Sequence, residues 1–393
     1  MRIFYTFFIT LYGILLYFVS FFNEKAKKII DGRLFLKQYP PKIPKDRKCI
    51  WLHCASAGEM EQAIPIINLL KIKNENYFII VSFYSSSGFE QYCNTNYADY
   101  YFYLPLDTPQ NAKKLIEILK PDLAIFIRYE IWWNILSALK NKNIPTYLVN
   151  ANLNKKRSFF YQFYLDKTYP LFTKIFDTEN YGNTKIERAL LNQREALIDE
   201  KISAFCKDSF VIVLGSSWKE EEVLMAEFYR KNKNHFSYIK IIIAPHEWNE
   251  HKQNELELLF EEPISVHSSF NTNNNSSILF LDKKGILKYL YRYADIAIIG
   301  GGFGKGVHNI TESVVYGTPV IFGPNYNAFE EVQELIDLNF IAFPIHNYIE
   351  FEKTLLALSD KETLTKIVYN KKMNYFEKHI DVAEYILAII LPD

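Results

Sequence analysis

The chain has 393 residues, of which 49% are hydrophobic and 23% charged, so it is long and apolar enough for about two globular domains. Lys+Arg and Asp+Glu are balanced at 45 each, which argues against the global positive field of a nucleic-acid-binding protein. The four cysteines show no CxxC spacing, which argues against a disulfide framework and against a zinc site.

The N-terminus predicts a membrane anchor. Residues 3–22 carry no charge, and as a helix they would extend about 30 Å, the thickness of a bilayer's hydrocarbon core. Residues 24–48 contain nine Lys/Arg against three Asp/Glu, and this basic excess places the main body in the cytoplasm. A signal peptide is the alternative, but the run is too long and no small-x-small cleavage site follows. A core helix is disfavoured because the segment is apolar all round. Its tyrosines and threonines leave open a helix that lies in the membrane surface.

After a proline-rich linker at residues 39–44, apolar strands alternate with helical patterns, and a second such series starts near residue 210. This alternation predicts two doubly wound α/β domains with parallel sheets, and a ligand cleft facing the carboxyl ends of both sheets. The expected bounds are 1–23 for the anchor, 24–205 for the first domain and 206–393 for the second. The last helix is expected to pack back on the first domain. The pattern also predicts helices over residues 161–176 and 310–316.

Three charged residues of the first domain are candidates for catalysis. Glu59 follows Gly58 at the start of a helix, where the helix dipole should keep the carboxylate ionised and able to act as a general base. The alternative is a first-turn Glu that only stabilises its helix. Glu130 follows another strand, and Lys185 lies in a Gly-Asn loop where its cation could neutralise a phosphate. His53 is expected to have a structural role in its strand.

The second domain contains an unusual cluster of glycines. Gly300–Gly302 end a strand, and His308 and Asn309 precede the predicted helix at 310–316. Glycines at a strand end let backbone N–H groups approach a phosphate, although the spacing fits neither a Rossmann fingerprint nor a P-loop. Glu312 could accept hydrogen bonds from two ribose hydroxyls. The alternative is a tight turn with a capping Asn and a solvated Glu.

Two further strand ends in this domain carry polar residues. His246 follows Pro245 directly after a strand, and it is either a loop histidine or part of a site. Ser216 lies in "GSSWKEEE", where it could cap the next helix or bind phosphate.

Taken in order, these motifs resemble the Kdo (3-deoxy-D-manno-octulosonic acid) transferases, membrane-anchored GT-B glycosyltransferases of lipopolysaccharide assembly. "WLHCASAGE" resembles W-x-H-x-x-S-x-G-E, "YEIWWN" resembles E-x-E-x-W-P-N, and "GNTK" resembles G-N-x-K. "GSSWKEEE" is similar to G-S-T-x-x-x-E-E, "APHE" to P-R-H-P and "VHNITE" to G-H-N-x-x-E. Three residues depart from the pattern: Pro245 replaces an Arg, Arg128 replaces the first Glu of E-x-E, and Trp133 replaces the Pro.

The resemblance implies a role for each matched residue. Glu59 would be the catalytic base, Glu130 essential, and Lys185 part of the catalytic site. The residues implied in binding cytidine monophosphate (CMP) are Pro245, His246, Lys284, Gly285, Ile286, Asn309, Ile310, Thr311 and Glu312. Possible additional contacts are Ser216, Gly301, Gly302 and His308.

The implied reaction transfers Kdo from CMP-Kdo to a lipid A precursor with inversion, and it needs no metal or other cofactor. The implied partners are the donor, the acceptor and inner-membrane lipids, with no nucleic acid, and the implied location is the cytoplasmic face of the inner membrane. Two alternatives stay open. One is another GT-B enzyme that transfers a different nucleotide sugar to a lipid acceptor. The other is a membrane-tethered nucleotide-sugar-binding protein without turnover.

Overall fold

A computed structural model describes residues 1–73, 76–153, 157–195, 198–233, 238–271, 276–327, 329–338, 341–359 and 375–391. The chain divides into two compact units. The first comprises Met1–Arg188 with Lys378–Asp393, and the second comprises Ala189–Glu377.

The first unit is built on a parallel sheet in the order β3-β2-β1-β4-β5-β6. Its strands are β1 (Lys48–His53), β2 (Tyr77–Phe83), β3 (Tyr100–Tyr103), β4 (Leu123–Ile127), β5 (Thr146–Ala151) and β6 (Lys174–Asp177). β1 lies between β2 and β4, with His53 opposite Ser82 on one side and Phe126 on the other. Both faces of the sheet are covered, which is why the strands read as continuous apolar runs.

Helices cover this sheet on both faces. They are α1 (Arg2–Val19), α2 (Glu24–Gln38), α3 (Ala57–Lys73), α4 (Ser86–Tyr92), α5 (Pro109–Leu119), α6 (Trp133–Asn141), α7 (Phe159–Thr168), α8 (Thr178–Tyr181), the start of α9 (Thr184–Arg194) and, from the end of the chain, α17 (Val382–Ile390). The last of these buries Val382, Ile386 and Ile390 in one hydrophobic cluster with Ile50 and Leu52 of the central strand.

The second unit has its own parallel sheet in the order β13-β12-β11-β7-β8-β10-β9. Its strands are β7 (Phe210–Ser217), β8 (Ile239–Pro245), β9 (Ser265–Val266), β10 (Ile278–Phe280), β11 (Ile296–Ile299), β12 (Val320–Phe322) and β13 (Ala342–Pro344). Its helices are α10 (Glu200–Cys206), α11 (Lys219–Asn232), α12 (Lys252–Phe260), α13 (Leu287–Leu290), α14 (Thr311–Val314), α15 (Glu330–Asp337) and α16 (Tyr348–Leu358). The loops after β11, β7, β8 and β10 therefore share one edge of this sheet.

Two predicted helices are longer in the sequence pattern than in the structure. The helix expected over 161–176 is α7, Phe159–Thr168, and Phe176 lies in β6 instead. Pro170 follows closely and has no N–H group with which to continue the helical hydrogen bonds. The helix expected over 310–316 is α14, Thr311–Val314, and Gly317 soon afterwards has φ +83°, outside the helical region.

Helix α1 is the candidate for a membrane segment within the described residues, since it is long and apolar enough to cross a bilayer. The expectation that this segment is apolar all round is wrong for one face. Tyr5 Oη donates to Asp107 Oδ2 at 2.7 Å and Arg2 Nε donates to Asn134 Oδ1 at 2.8 Å, so the first turns are attached to the first unit.

The glycines after β11 allow close backbone packing. A Cβ on Gly302 would lie 2.5 Å from the backbone nitrogen of Gly323, whereas a Cβ on Gly304 would have its nearest neighbour at 3.7 Å. Real Cβ atoms do not approach backbone atoms as closely as the first distance, so the loop after β12 must move if Gly302 gains a side chain.

We predict that Gly302→Ala destabilises the second unit by about 1–3 kcal/mol, the usual cost of overpacking. Gly304→Ala is the matched control and should change stability by less than about 0.5 kcal/mol. Thermal and urea unfolding of both variants would measure the difference. Equal stabilities of the two variants would contradict the packing role given to Gly302.

Candidate functional site

In the first unit, two neighbouring strands bring His53 and Glu130 together. His53 is the last residue of β1, and Glu130 follows the adjacent strand β4. His53 Nε2 lies 3.0 Å from Glu130 Oε2, and Trp132 Nε1 donates to the same oxygen at 2.8 Å. The Glu130 side chain is 13% exposed and the His53 side chain is fully buried, so this carboxylate is fixed at the mouth of the sheet.

A chain of buried hydrogen bonds sets the tautomer of His53. Trp51 Nε1 donates to Ser82 Oγ at 2.9 Å, and Ser82 Oγ lies 2.8 Å from His53 Nδ1. Because a carboxylate can only accept, the contact with Glu130 assigns the imidazole proton to Nε2, and the serine hydroxyl can then donate to Nδ1. Sequence reasoning gave His53 a structural role in its strand, whereas the structure makes it the residue that orients Glu130.

Glu59 is the third residue of α3 and bonds back to the residue before the helix. Ser56 N donates to Glu59 Oε2 at 3.2 Å, which is half of the capping box that the spacing Ser-x-x-Glu indicates. The first-turn role named as the alternative therefore exists in the structure. A capping role and a catalytic role are compatible, because the carboxylate is only partly buried.

The expectation that Glu59 stays ionised is wrong for the ligand-free protein. Burial, followed by the charge of Glu130, raises the pKa of Glu59 to about 8. The N–H groups of Ala55 and Ser56 and the cation of Arg128 lower this pKa, but they do not offset the other two effects. The two carboxyl groups thus share one site, and close to neutral pH Glu59 carries the proton.

Arg128 is a charged neighbour of the carboxylates that sequence reasoning treated only as a departure from the family motif. It has φ +66°, a left-handed conformation that a non-glycine residue adopts at a cost, and its guanidinium lies over the Tyr129 ring at 5.0 Å. Its charge favours the ionised form of Glu59. The sequence indicated this effect on Glu59 by placing an arginine where the family motif has a Glu.

Lys185 lies in the first turn of α9, and a buried polar network joins that turn to the helix of Glu59. Asn150 Nδ2 donates to both Gln62 Oε1 and Thr184 Oγ1 at 2.8 Å, and Thr184 Oγ1 donates to the Gln62 carbonyl at 2.7 Å. Gln62 belongs to α3 and Thr184 precedes Lys185, so the network holds the starts of the two helices in a fixed relation.

In the second unit, three aromatic rings stack at the carboxyl edge of the sheet. The ring of His246 lies 5.0 Å from Trp218 and 4.3 Å from His308, and Trp218 Nε1 donates to His308 Nε2 at 3.1 Å. Burial and then the neighbouring His246 lower the pKa of His308 to about 4. His308 is therefore neutral at pH 7. Pro245 is the last residue of β8 and places His246 in this stack.

Some backbone groups of the glycine cluster already bond to or pack against other parts of the second unit. Gly301 N donates to Glu221 Oε1 at 3.0 Å, and Glu221 Oε2 accepts from the Trp218 N–H. Ser216 has φ +50°, and a Cβ on Gly300 would clash with its carbonyl oxygen. The glycines thus allow this loop to pack closely against other backbone of the protein. The Gly301 N–H, which could have faced a phosphate, donates to Glu221 instead.

The residues after His308 bond to one another. Asn309 Nδ2 donates to Glu312 Oε1 at 3.1 Å, and Asn309 Oδ1 accepts from the Thr311 hydroxyl at 2.6 Å. Ile310 and Thr311 are each 1% exposed, so neither residue offers surface to a ligand. Asn309 Oδ1 also accepts from the Thr311 N–H at 3.3 Å, but the N-cap residue of α14 is Ile310, whose apolar side chain cannot cap the helix. The contact with Asn309 gives the Glu312 carboxylate a fixed position.

Lys284, Gly285 and Ile286 lie in the loop after β10, on the same sheet edge. Lys284 and Gly285 are exposed, and Gly285 has φ +85° with no atom near the position of a Cβ. Among the residues that the structure describes, no group of three or more His, Cys, Asp or Glu side chains could hold a metal ion.

Comparisons with known proteins bear on family and fold. A family model described as 3-deoxy-D-manno-octulosonic-acid transferase (kdotransferase) matches residues 30–192. A 3-deoxy-D-manno-octulosonic acid transferase from Aquifex aeolicus (strain VF5) is 28% identical over 334 residues, which cover 82% of this chain and 90% of that protein.

Solved structures resemble the chain over both units. A putative UDP-N-acetylglucosamine 2-epimerase from Listeria monocytogenes gives a TM-score of 0.61 at 14% identity, covering 88% of this chain and 96% of that one. A glycosyltransferase from Rickettsia africae ESF-5 gives a TM-score of 0.54 at 16% identity, covering 88% of this chain and all (100%) of that one. At these identities the likeness concerns the fold alone, and the predicted GT-B architecture is confirmed.

We predict that Glu59→Gln becomes stabilising as the pH rises. The pKa of Glu59 is about 8 in the folded chain against 4.5 for an ordinary Glu, so its protonation favours folding below pH 4.5 and this contribution is lost as the pH rises through 8. Glutamine does not titrate and can still complete the capping box. The melting temperature of the variant relative to the natural protein should therefore increase between pH 5 and pH 9. A difference that stays flat over this range would contradict the raised pKa.

Proposed function

Since this chain is a glycosyltransferase of the Kdo transferase family, we propose that it transfers Kdo from CMP-Kdo to a sugar hydroxyl of a lipid A precursor, with Glu59 as the general base. The observation that carries the proposal is the pair of carboxyl groups of Glu59 and Glu130 at one sheet edge, with Glu130 fixed by His53 and Trp132.

A pKa of about 8 suits a base that must take a proton from a sugar hydroxyl. A carboxylate at its ordinary pKa would be ionised but a weak proton acceptor, whereas one tuned near the working pH combines basicity with a useful ionised fraction. A cation that enters with the substrates, or the approach of Lys185, would draw the pKa of Glu59 downward and so release its proton before the reaction.

In the proposed reaction the acceptor oxygen attacks the anomeric carbon of Kdo. Its proton passes to Glu59, the bond between that carbon and the phosphate oxygen breaks, and CMP leaves with the bonding electrons. Attack on the face opposite the leaving group inverts the anomeric configuration. Glu130 would orient the acceptor or the base, and Lys185 would neutralise charge on a phosphate.

In the second unit, the loops after β7, β8, β10 and β11 would bind the donor. Glu312, held by Asn309, would accept from the ribose hydroxyls, and the loop containing Lys284 and Gly285 would contact the nucleotide. The Arg of the family motif is absent at Pro245, and the imidazoles of His246 and His308 are the nearest substitutes for it on that strand end. A bound phosphate would favour the protonated form of one of them.

The proposed location is the cytoplasmic face of the inner membrane, where a lipid acceptor would be found. The apolar helix α1 and the basic stretch in residues 24–48 support it. The replacement of an arginine by Pro245 also favours one alternative, a GT-B enzyme for a different nucleotide sugar. A panel of donors assayed with one lipid acceptor separates the two, because our proposal requires that CMP-Kdo is the productive donor.

We predict that Glu59→Gln lowers kcat by about 10²–10⁴, the usual contribution of a general base. In the natural protein, kcat/KM should rise with pH through a midpoint near pH 8 and level off above it, where Glu59 is fully ionised. The assay is Kdo transfer from freshly generated CMP-Kdo to a defined lipid A precursor, followed by mass spectrometry.

Ser56→Ala is the matched control, because it removes the side chain of the capping residue and leaves the carboxylate. Its effect on stability should be below about 0.5 kcal/mol, because the bond between Ser56 and Glu59 uses the backbone N–H of Ser56, and it should retain most of the activity. If Glu59→Gln were as active as Ser56→Ala, Glu59 would not be the base.

We predict that Glu312→Gln weakens CMP binding by about tenfold, because an amide is a poorer acceptor than a carboxylate for ribose hydroxyls. Isothermal titration of CMP with the full chain would measure the change, and Glu59→Gln serves as the control whose CMP affinity should not change. Equal affinities in the Glu312 variant and the natural protein would remove Glu312 from the proposed nucleotide site.

A further inference from the structure

Helix α1 packs on the first unit with one face and turns the opposite face outward. The residues on its packed face are Tyr5, Thr6, Ile9, Gly13 and Leu16, all half-buried. Large apolar residues on the opposite side are 42–69% exposed, namely Phe4, Phe7, Phe8, Leu11, Leu15 and Phe18, and the flanking Ile3, Tyr12, Ile14, Tyr17 and Val19 are exposed as well. At about 100° per residue, the packed residues lie within an arc of about 100°, and the exposed apolar residues occupy most of the remaining circumference, about 220°.

The packed face is held by polar contacts to a buried carboxylate. Asp107 is fully buried, accepts from Tyr5 Oη at 2.7 Å, and also accepts from the backbone N–H groups of Asn134 and Ile135 at 3.0 and 2.8 Å. It thereby caps the start of α6. The Tyr5 hydroxyl thus donates to the same carboxylate that caps α6. If α1 moved away from the first unit, Asp107 would lose one of its three hydrogen-bond donors.

A second point of attachment lies two turns further along. Gly13 packs against Leu106 so closely that a Cβ would collide with the leucine side chain, and Tyr12 hydrogen-bonds to Tyr84. The ring of Tyr84 stacks on Trp132 at 5.2 Å, and Trp132 donates to Glu130. Contacts therefore run without a gap from the helix to the carboxylate pair.

Helix α7 contacts α1 and carries further exposed apolar residues. Its Tyr164 stacks on Tyr5 at 5.7 Å between ring centroids, and its Phe159 and Phe160 are 80% and 84% exposed. These two phenylalanines belong to the same unit and to a helix in contact with α1. The exposed residues of α2 that follow, Lys25 and Lys27, add positive charge beside this surface.

We propose that α1 lies in the plane of the membrane surface and does not cross the bilayer, with the α1 phenylalanines and Phe159 and Phe160 of α7 inserted together into an anionic leaflet. A crossing helix is surrounded by lipid over its whole length, and this would bring Asp107 and Asn134 to the hydrocarbon or break their bonds to α1. A helix that is bonded to the protein along one side and apolar on the others, with lysines beside it, instead suits the interface of an anionic bilayer. The inference rests on the proposed function only for the presence of a membrane, since it needs no sugar chemistry.

The first arm of the test is topology, read without any activity assay. A protease-cleavable tag is placed before Met1 of the full chain, and sealed inside-out vesicles are treated with the protease. We expect the tag to be cut from the same side as the main body. A tag that is cut only after the vesicles are permeabilised would show that α1 crosses the bilayer and would overturn the proposal.

The second arm is binding of the purified full chain to vesicles that contain anionic phospholipid. Phe159→Ser with Phe160→Ser should weaken binding by about tenfold or more, because two large apolar side chains leave the lipid. Ile72→Ser, at an equally exposed apolar residue where α3 ends, is the matched control and should bind as the natural protein does. Unchanged binding of the double variant would overturn the proposal. These results do not depend on Kdo transfer. A failed donor assay would count against the proposed function, whereas a failed binding assay would count against the membrane proposal alone.

Discussion

The burial of the Glu59 carboxyl group, together with its repulsion by Glu130, is the constraint on which the first unit's site depends. Two negative charges in a partly buried place raise the free energy of the ionised state, so the protein keeps a proton on Glu59. The surrounding residues limit this cost. His53 and Trp132 donate to Glu130, Arg128 opposes the charge of Glu59, and the buried pair Trp51 and Ser82 fixes the imidazole that makes one of these bonds.

Sequence alone predicted the sheets well, because buried parallel strands are continuous apolar runs and loop glycines mark their ends. It also placed Glu59 and Glu130 at strand ends. It could not predict the pKa of Glu59, because that value depends first on burial in the folded chain and then on a carboxylate contributed by another strand. The same reason applies to His53, whose partner is determined by the strand order β2-β1-β4 and is not visible in the local pattern.

In the second unit the sequence revealed a cluster of glycine, histidine and asparagine residues, but it did not reveal which contacts each of them makes. The glycines suggested a phosphate-binding loop, while the structure uses Gly300 and Gly302 for contacts with Ser216 and Gly323. The helix predicted after Asn309 is a single turn, because helical periodicity in a short apolar segment also fits a turn that is buried. The stack of Trp218, His246 and His308 joins residues from three loops, and no pattern within one loop indicates it.

Helix α17 gives the first unit an order of assembly. Its apolar residues belong to the same cluster as the central strand β1, and Ala383 N donates to Glu187 Oε2 while the Asn183 N–H reaches His379. The ribosome makes all of the second unit before it makes this helix. The face of the first sheet that α17 covers must therefore remain uncovered during synthesis of the second unit, and during that interval the nascent chain exposes apolar surface that a chaperone or the nearby bilayer could bind.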